Sequence, residues 1–525
     1  MGDRRVDAIG RCVTIADMTR RTVGALASVW LVAVSGLLAA CGAVAPPTPP
    51  TTTTPTIPST PAPSAAPTAS ASAPTASSSP ASTLDATALL GSITEAGLRV
   101  RLDALAGVSS ASNGFRAVGT PGFDAAADLV ANELRAAGWQ VTEDAFTMPS
   151  FVDLGGSSLV VPGGSFGAGD LAPLIFAPAG DVTGPVVAID WDPDAREPTG
   201  LGCSAVDYPD LQEGAIVLIR SGPCRRRDAI LAAQSRGAAA FVAGYPSAAS
   251  GEVLRPTLID PNGLEIPAAA ASRPAGDALA AVAAAGGKAR LVTKAKTATA
   301  ATRSIIAELP GSDPGAVIML GAHLDSVVDG PGINDNGSGV AALLEIAHAL
   351  RGSHPRATIR LAFWTGEELG LHGSSRYVAG LSTEDRDAIA AYLNADMLAS
   401  PNGFTGVYDW VGAPAGSAAI SELMTAAVER AGGDAVTVPL GGSDHLPFDQ
   451  AGIPIGGVHS GASERLSEQE ASASGSTAEL PADACYHQAC DDASNVNLRL
   501  LRLLTTALAD VTIGLSNDPA QVAGS

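Results

Sequence analysis

Five side chains of two chemical types, imidazole and carboxylate, lie in polar clusters that recur through the C-terminal half of this sequence. They are His323, Asp335, Glu368, Asp396 and His487. Zinc accepts histidine nitrogen and carboxylate oxygen, and a catalytic zinc site leaves one position open to water or substrate. A bridging carboxylate with two further ligands for each ion is what a paired hydrolytic centre requires. The set therefore predicts a two-metal hydrolase, in which Glu367 is free to act as general base.

The elements that must position these residues are strands that end at a common edge. Val317 to Leu320 reads as a buried strand that leads into His323 and Asp325. Side chains two apart in extended backbone point to the same side, so this pair faces one site. The segments before Glu368 and Asp396 also read as strands. One such cluster alone is weak evidence for a functional site. Several clusters at strand ends indicate a site of the kind that open α/β sheets form beyond the carboxyl ends of their strands.

Strands and helices alternate through the C-terminal half of the chain. Helices are predicted at Ser338 to Leu350, Ala418 to Ala431 and Asn497 to Ile513, and short apolar strands lie between them. This alternation predicts an α/β fold with a largely parallel sheet.

Length and charge limit the classes of function. The chain has 525 residues and a formal charge of −22, so there is room for two folded domains plus extensions. Nucleic-acid binding needs a basic surface, and this charge therefore argues against a nucleic-acid partner.

Four of the six cysteines form an even set outside the N-terminal region: Cys203, Cys224, Cys485 and Cys490. In an exported protein such a set indicates two disulfides. Closeness in sequence pairs Cys203 with Cys224 and Cys485 with Cys490. Zinc binding by these cysteines is the competing interpretation, but the CxxC spacing of structural zinc sites is missing.

Residues 1–41 read as a secretory signal. Arg20-Arg21 precede an apolar run from Val23 to Ala40, which leads into Cys41. A cysteine directly after Leu-Ala-Ala resembles a bacterial lipobox, in which that cysteine is lipidated. A plain signal peptide or an uncleaved anchor helix is the alternative. We expect export, with the lipid on Cys41 holding the protein on the extracytoplasmic side of the cell membrane unless it is shed.

Residues 42–83 consist almost entirely of Pro, Thr, Ser and Ala. Such a composition cannot bury a core, so a disordered tether is predicted. A glycosylated stalk would have the same composition.

Residues 154–298 carry many short apolar runs broken by Gly and Pro. They resemble a protease-associated (PA) domain, and the likeness rests on the segments 213–224, 232–238 and Ile266-Pro267. PA domains are non-catalytic inserts or lids, so the resemblance implies no chemistry for this part. The run Arg225-Arg226-Arg227 is interpreted as a solvated turn rather than a binding patch.

Residues from about 303 to 497 resemble the M28 zinc aminopeptidases, particularly the secreted bacterial type. The shared motifs are Gly-Ala-His-Leu-Asp-Ser-Val, Gly-Pro-Gly-Ile-Asn-Asp-Asn-Gly-Ser-Gly, Glu-Glu-Leu-Gly-Leu-His-Gly-Ser, Asn-Ala-Asp-Met and Cys-Tyr-His-Gln-Ala-Cys-Asp. The resemblance implies an α/β/α sandwich with a mostly parallel mixed sheet and an inserted, smaller β-rich PA domain. The expected division is an N-terminal part of the peptidase domain at 84–153, the insert at 154–298, the catalytic domain at 299–515 and a tail at 516–525.

The resemblance also implies two Zn²⁺ ions and a place for each ligand. His323 and Asp396 would bind one ion, Glu368 and His487 would bind the other, and Asp335 would bridge them. The Cys485–Cys490 disulfide would stiffen the loop that carries His487.

Further roles follow from the same resemblance. Asp325 would orient His323, and Tyr486 would hydrogen-bond the developing oxyanion. Glu367 would take a proton from a water that bridges the ions and pass it to the leaving amine. A cis peptide is expected at Asp335-Asn336. Because the segment 441–445 lacks an arginine that some relatives carry, recognition of the substrate's amine would fall on Glu367 and Asp396.

The protein is predicted to be a surface-anchored or secreted di-zinc aminopeptidase that acts on peptides with a free N-terminus. The expected oligomeric state is a monomer. One alternative uses the same scaffold for carboxypeptidase action or glutaminyl cyclisation. Another is a non-catalytic surface protein that binds ligand through its PA-like domain.

Overall fold

The computed structural model describes residues 83–522, except 195–199, 223, 247–252 and 254. The predicted signal segment with Cys41, and all of the predicted tether but Thr83, lie outside the described residues. Among the helices of the described part, none combines the length and apolar character that crossing a bilayer requires.

Three helices and one long strand open the described chain: α1 (Ala86–Leu90), α2 (Glu95–Ala111), α3 (Pro121–Ala136) and β1 (Gln140–Asp153). Leu98, Leu102 and Leu105 form the buried stripe of α2, as their helical spacing predicts. Helix α3 has a proline in its first turn, and Gly138 follows its end with φ of +88°, the left-handed conformation that closes many helices.

A second sheet of eight strands comes next in the chain. Its strands and the two helices that pack on them are, in chain order, β2 (Ser158–Val161), β3 (Gly164–Phe166), β4 (Leu171–Pro173), β5 (Gly180–Ile189), β6 (Ile216–Arg220), α4 (Arg226–Ser235), β7 (Ala240–Tyr245), β8 (Ala268–Ser272), α5 (Arg273–Ala284) and β9 (Lys288–Thr293). Successive residues of β6 belong to different cores. Val217 packs in the core that includes α4, and Leu218 packs in the core that includes α5, so one helix covers each face.

The remaining elements complete the main sheet and its helices. They are β10 (Ala295–Leu309), β11 (Asp313–His323), α6 (Gly337–Ala349), β12 (Ala357–Trp364), α7 (His372–Gly380), α8 (Thr383–Ala388), β13 (Ile389–Ala395), β14 (Gly406–Tyr408), α9 (Ser417–Arg430), β15 (Val436–Val438), α10 (Leu446–Gln450), β16 (Ile455–His459), α11 (Glu468–Ser474) and α12 (Leu498–Asn517).

The main sheet has the strand order β1-β10-β12-β11-β13-β16-β14-β15. Strands β12, β11, β13 and β16 are parallel to one another, whereas β1, β10 and β14 join neighbours in antiparallel fashion. Alternate residues of β11 enter opposite cores: Ile318 packs with α2, α3, α6, α9 and α12, and Met319 packs on the side of α7 and α10. The predicted α/β/α sandwich with a mixed sheet is confirmed.

Strands β1 and β10 form a ribbon that is longer than the sequence pattern indicates. Alternation predicts strands only at Gln140 to Phe146 and Ser304 to Leu309. The pairing runs instead from Gln140 opposite Glu308 to Asp153 opposite Ala295. Only the last five residues of β10 also pair with β12. The outer half is a two-stranded ribbon in which β1 and β10 pair only with each other, and it connects the two sheets.

Candidate metal centre

The five predicted ligands meet at the carboxyl edge of the main sheet. His323 ends β11, Glu368 follows β12, Asp396 follows β13, Asp335 precedes α6, and His487 lies on the loop before α12. The residues fall into two groups that could each hold an ion, and Asp335 belongs to both.

The distances between donor atoms fit one ion in each group. His323 Nε2 lies 3.1 Å from Asp335 Oδ1 and 3.4 Å from Asp396 Oδ1. His487 Nε2 lies 3.1 Å from both Asp335 Oδ2 and Glu368 Oε2. Two ligands ~2.1 Å from a tetrahedral zinc ion are themselves ~3.4 Å apart. The two oxygens of Asp335 face different imidazoles, which is the arrangement of a bridging carboxylate.

The electrostatics of the cluster also fit a bound cation. Among the described residues, the buried atoms Glu368 Oε1 and Asp396 Oδ1 have no hydrogen-bond partner. Burial by itself would lower the pKa of both histidines. The pKa of His323 nevertheless lies well above its ordinary value because of Asp396 and Asp335, and that of His487 because of Glu368 and Asp335. Surplus negative charge therefore surrounds the imidazoles and favours a positive ion there.

The loop of Asp335 is held by a residue that the sequence analysis missed. The carboxylate of Asp491 accepts hydrogen bonds from the backbone N–H groups of Asn334 (2.8 Å) and Asp335 (3.0 Å). The expected cis peptide at Asp335-Asn336 is present. Asp491 is the last residue of the Cys-Tyr-His-Gln-Ala-Cys-Asp motif, and its place in that motif is the signal in the sequence that could have found it.

Arg116 supports the same loop from the other side. Its guanidinium is fully buried and donates to the carbonyls of Pro331, Gly332 and Leu324. Burial lowers the pKa of Arg116 to about 10, so the side chain remains charged at neutral pH. No local pattern in the sequence indicates this contact, because its acceptors are backbone atoms more than 200 positions away.

Asp325 contacts His323 through its backbone carbonyl. Nδ1 of His323 lies 3.1 Å from the backbone carbonyl oxygen of Asp325 but 4.0 Å from its carboxylate. The carboxylate accepts hydrogen bonds from the N–H groups of Gly366 (2.9 Å) and Glu367 (3.3 Å) instead. Asp325 therefore orients the imidazole with its backbone and fixes the turn of Glu367 with its side chain.

Glu367 and Tyr486 line the same cavity of about 430 Å³ as four of the predicted ligands, namely His323, Asp335, Asp396 and His487. Burial raises the pKa of Glu367 well above its ordinary value, and the neighbouring carboxylates Glu368 and Asp444 raise it further. A carboxyl group with a raised pKa can both accept and return a proton near neutrality. The ring of Tyr486 stacks on that of His487 at 3.8 Å. Burial also raises the pKa of Tyr486, which keeps its hydroxyl protonated as a hydrogen-bond donor.

Two loops complete the cavity. A disulfide joins Cys485 to Cys490 on the loop that carries His487. A further disulfide joins Cys203 to Cys224 in the part of the chain that forms the second sheet. His487, between the first two cysteines, has a φ of +58°. On the other side, Ser443 donates to Asp396 Oδ2 at 2.7 Å, and Phe404, Tyr408 and Val438 add apolar surface.

Comparisons with known proteins agree with this geometry. A match to Peptidase family M28 spans residues 304–512, and a match to the PA domain spans residues 182–279. An aminopeptidase of Pseudomonas aeruginosa is 35% identical over 436 residues, which are 79% of this chain and 80% of the relative. A probable lipoprotein aminopeptidase of Mycobacterium tuberculosis, LpqL, is 36% identical over 438 residues, 80% of this chain and 84% of the relative.

A solved structure shares the fold. BSAP, a zinc aminopeptidase from Bacillus subtilis, superposes with a TM-score of 0.62 at 23% identity, and the match covers 81% of this chain and 96% of that one.

Proposed function

Since the chain belongs to peptidase family M28, carries a PA domain and is a metallo-aminopeptidase, we propose that it is a di-zinc enzyme that removes single residues from the N-terminus of peptides. The observation that carries this proposal is the position of Asp335, whose two oxygens each lie 3.1 Å from a different histidine. The Bacillus subtilis structure is described as a zinc aminopeptidase, which supports zinc as the metal.

The proposed ligands are His323 and Asp396 for one ion, Glu368 and His487 for the other, and Asp335 for both. Bound zinc would supply Lewis-acid chemistry, polarising the scissile carbonyl and favouring ionisation of the attacking water. The residues named here meet the donor preferences of that metal.

The remaining steps belong to the protein's own side chains. Glu367 would accept a proton from the attacking water and return it to the nitrogen of the departing peptide. Tyr486 would donate a hydrogen bond to the carbonyl oxygen as negative charge develops there. The carboxylates of Glu367 and Asp396 would hold the substrate's free amine, so the enzyme would act only at an unblocked N-terminus.

The proposal is tested by Glu367→Gln. Loss of the general base should lower kcat by about 10² to 10⁴-fold, while the protein still binds two metal ions per chain. Turnover of leucine p-nitroanilide and elemental analysis of the purified variant measure the two quantities. Glu429→Gln, on an exposed position of α9, is the matched control and should retain full activity.

Two results would contradict the proposal: near-normal turnover by Glu367→Gln, or an active wild-type protein that contains no metal. Hydrolysis of an N-acetylated substrate at the rate of its free-amine twin would instead favour carboxypeptidase-like action on the same scaffold.

We also propose that Cys41 is lipidated and holds the enzyme at the membrane surface. The lipoprotein name of the Mycobacterium tuberculosis relative supports this, together with the Leu-Ala-Ala-Cys sequence. Cys41→Ala should move the activity from the detergent phase to the aqueous phase on phase partitioning, and an unchanged distribution would contradict the anchor.

A further inference from the structure

A second cavity of about 490 Å³ extends from the metal centre to the PA domain. The residues that line it come from both domains: Glu367, Glu368 and His487 from the catalytic domain (its catalytic end) and Arg226 and Tyr245 from the PA domain (its PA end). This volume is in the range of pockets that enclose small ligands rather than folded chains. The cavity therefore has room for a short stretch of peptide beyond the scissile bond.

The two ends of this cavity carry opposite charge. Arg226 is the first residue of α4, and its Nε donates to the hydroxyl of Tyr245. Within the described chain, no carboxylate lies within ion-pair distance of its guanidinium. Arg255, which also lines the cavity, is neutralised by Asp153 (2.6 Å) and Asp329 (3.3 Å). Of these two arginines, Arg226 is the one that has no carboxylate partner among the described residues and is therefore the candidate to bind an anionic ligand.

Packing between the domains fixes the distance between these ends. The hydroxyl of Thr257 donates to the carbonyl of Leu369, two residues after Glu367. Gly370 lies so close to Ile259 that an added Cβ would be 3.0 Å from the isoleucine side chain. Leu369 also packs against a buried cluster that includes Phe176. The PA domain therefore holds a fixed position relative to the turn that carries Glu367.

We propose that Arg226 binds the C-terminal carboxylate of short peptide substrates, and that the PA domain thereby gives the enzyme a preference for short peptides with a free C-terminus. This proposal rests on the proposed function, which places the substrate's amine at Glu367 and Asp396. A short peptide carries a positive charge at one end and a negative charge at the other, which matches the two ends of the cavity. A guanidinium has five N–H donors and can bind a carboxylate with two of them while it retains its contact with Tyr245.

The test compares matched substrates on wild-type enzyme and on Arg226→Gln. The substrates are Leu-Gly-Gly as free acid, the same peptide as C-terminal amide, and leucine p-nitroanilide, which has no carboxylate. Wild type should favour the acid over the amide by about tenfold to a hundredfold in kcat/KM, the range of a hydrogen bond to a charged group. The Arg226→Gln variant should show a ratio near one, through a raised KM for the acid, with anilide hydrolysis unchanged.

Two further variants separate charge from structure. Arg227→Gln is the control, since Arg227 belongs to the same arginine run but contacts the carbonyls of Asp260 and Asn262; it should keep the acid preference. Arg226→Lys keeps the charge and should restore part of the preference.

An equal rate of the wild-type enzyme on acid and amide would overturn the proposal, whether or not any variant folds. So would an acid preference that survives in Arg226→Gln. A wild-type enzyme inactive on the anilide would contradict the proposed aminopeptidase function instead, so the two failures are distinguishable.

Discussion

At the scale of single residues, Asp335 makes three polar contacts at once. Its two carboxylate oxygens face different histidines, and its backbone N–H donates to Asp491. Asp491 in turn is buried beside Asn495, whose amide donates to it at 3.1 Å. Residues that hold a metal ligand in place commonly change metal affinity by 10 to 100-fold when they are replaced. Under the proposed ligand set, Asp491 would therefore position the bridging carboxylate, and its replacement should weaken metal binding.

Replacement of Asp491 by asparagine should loosen the metal centre. An asparagine oxygen can still accept one of the two backbone N–H groups, but its NH₂ group would face the other donor. We expect zinc affinity to fall by about 10 to 100-fold, as measured by competition with a chromogenic chelator. Asp492→Asn, at the exposed next position, should bind zinc as wild type does. Equal affinities of both variants would show that Asp491 does not position the bridge.

At the scale of elements, helix α6 ties the metal centre to the N-terminal helices. Its N-cap Asn336 accepts from Gly339 N–H and donates to the carbonyl of Ala395, at the end of β13. Further along, Glu345 pairs with Arg101 of α2 at 2.5 Å and accepts from the N–H of Thr94. Almost the whole helix is buried. Its first turn therefore has no freedom to move away from the strand end that carries Asp396.

Two glycine-to-alanine changes inside helices should have opposite effects on stability. At Gly339 a Cβ would collide with the carbonyl oxygen of Ala395, so Gly339→Ala should lower the free energy of unfolding by about 1–3 kcal/mol, the range for overpacking. At Gly107, on the exposed side of α2, an added Cβ meets nothing within 4 Å. Gly107→Ala should therefore raise the free energy of unfolding by about 0.5–1 kcal/mol.

Chemical denaturation of the full-length protein measures both changes. A Gly339→Ala variant as stable as wild type would contradict the close approach of α6 to β13, and a destabilised Gly107→Ala variant would contradict the open surroundings of Gly107.

The structure brings together those predicted site residues whose placement follows from local sequence pattern. His323, Glu368 and Asp396 each end or follow an apolar strand, and parallel strands bring such residues to one edge. Prediction failed where a residue acts through distant backbone, as Arg116 does, because nothing in its own neighbourhood shows the partner. The run Arg225-Arg226-Arg227, predicted as a solvated turn, instead begins helix α4, and residues of the catalytic domain complete the cavity that Arg226 lines.

At the scale of the whole molecule, the ribbon of β1 and β10 decides how the two domains are joined. The chain leaves the main sheet along β1 and returns along β10, and the last paired residues, Asp153 and Ala295, lie side by side. The pairing continues outward through the hydrogen bond from Leu154 N–H to the carbonyl of Lys294. The PA domain contacts the turn that carries Glu367 through residues that lie between β1 and β10 in the chain, such as Thr257.

The insertion point has an evolutionary consequence. Because the two crossings are hydrogen-bonded neighbours, a tight two-residue turn could replace everything between them and leave an ordinary β-hairpin. An ancestor could therefore have acquired the extra domain, or a descendant could discard it, by a single splice at a hairpin tip. Such a splice would spare every strand that carries a metal ligand, so selection could alter which peptides are accepted while the hydrolytic chemistry stayed the same.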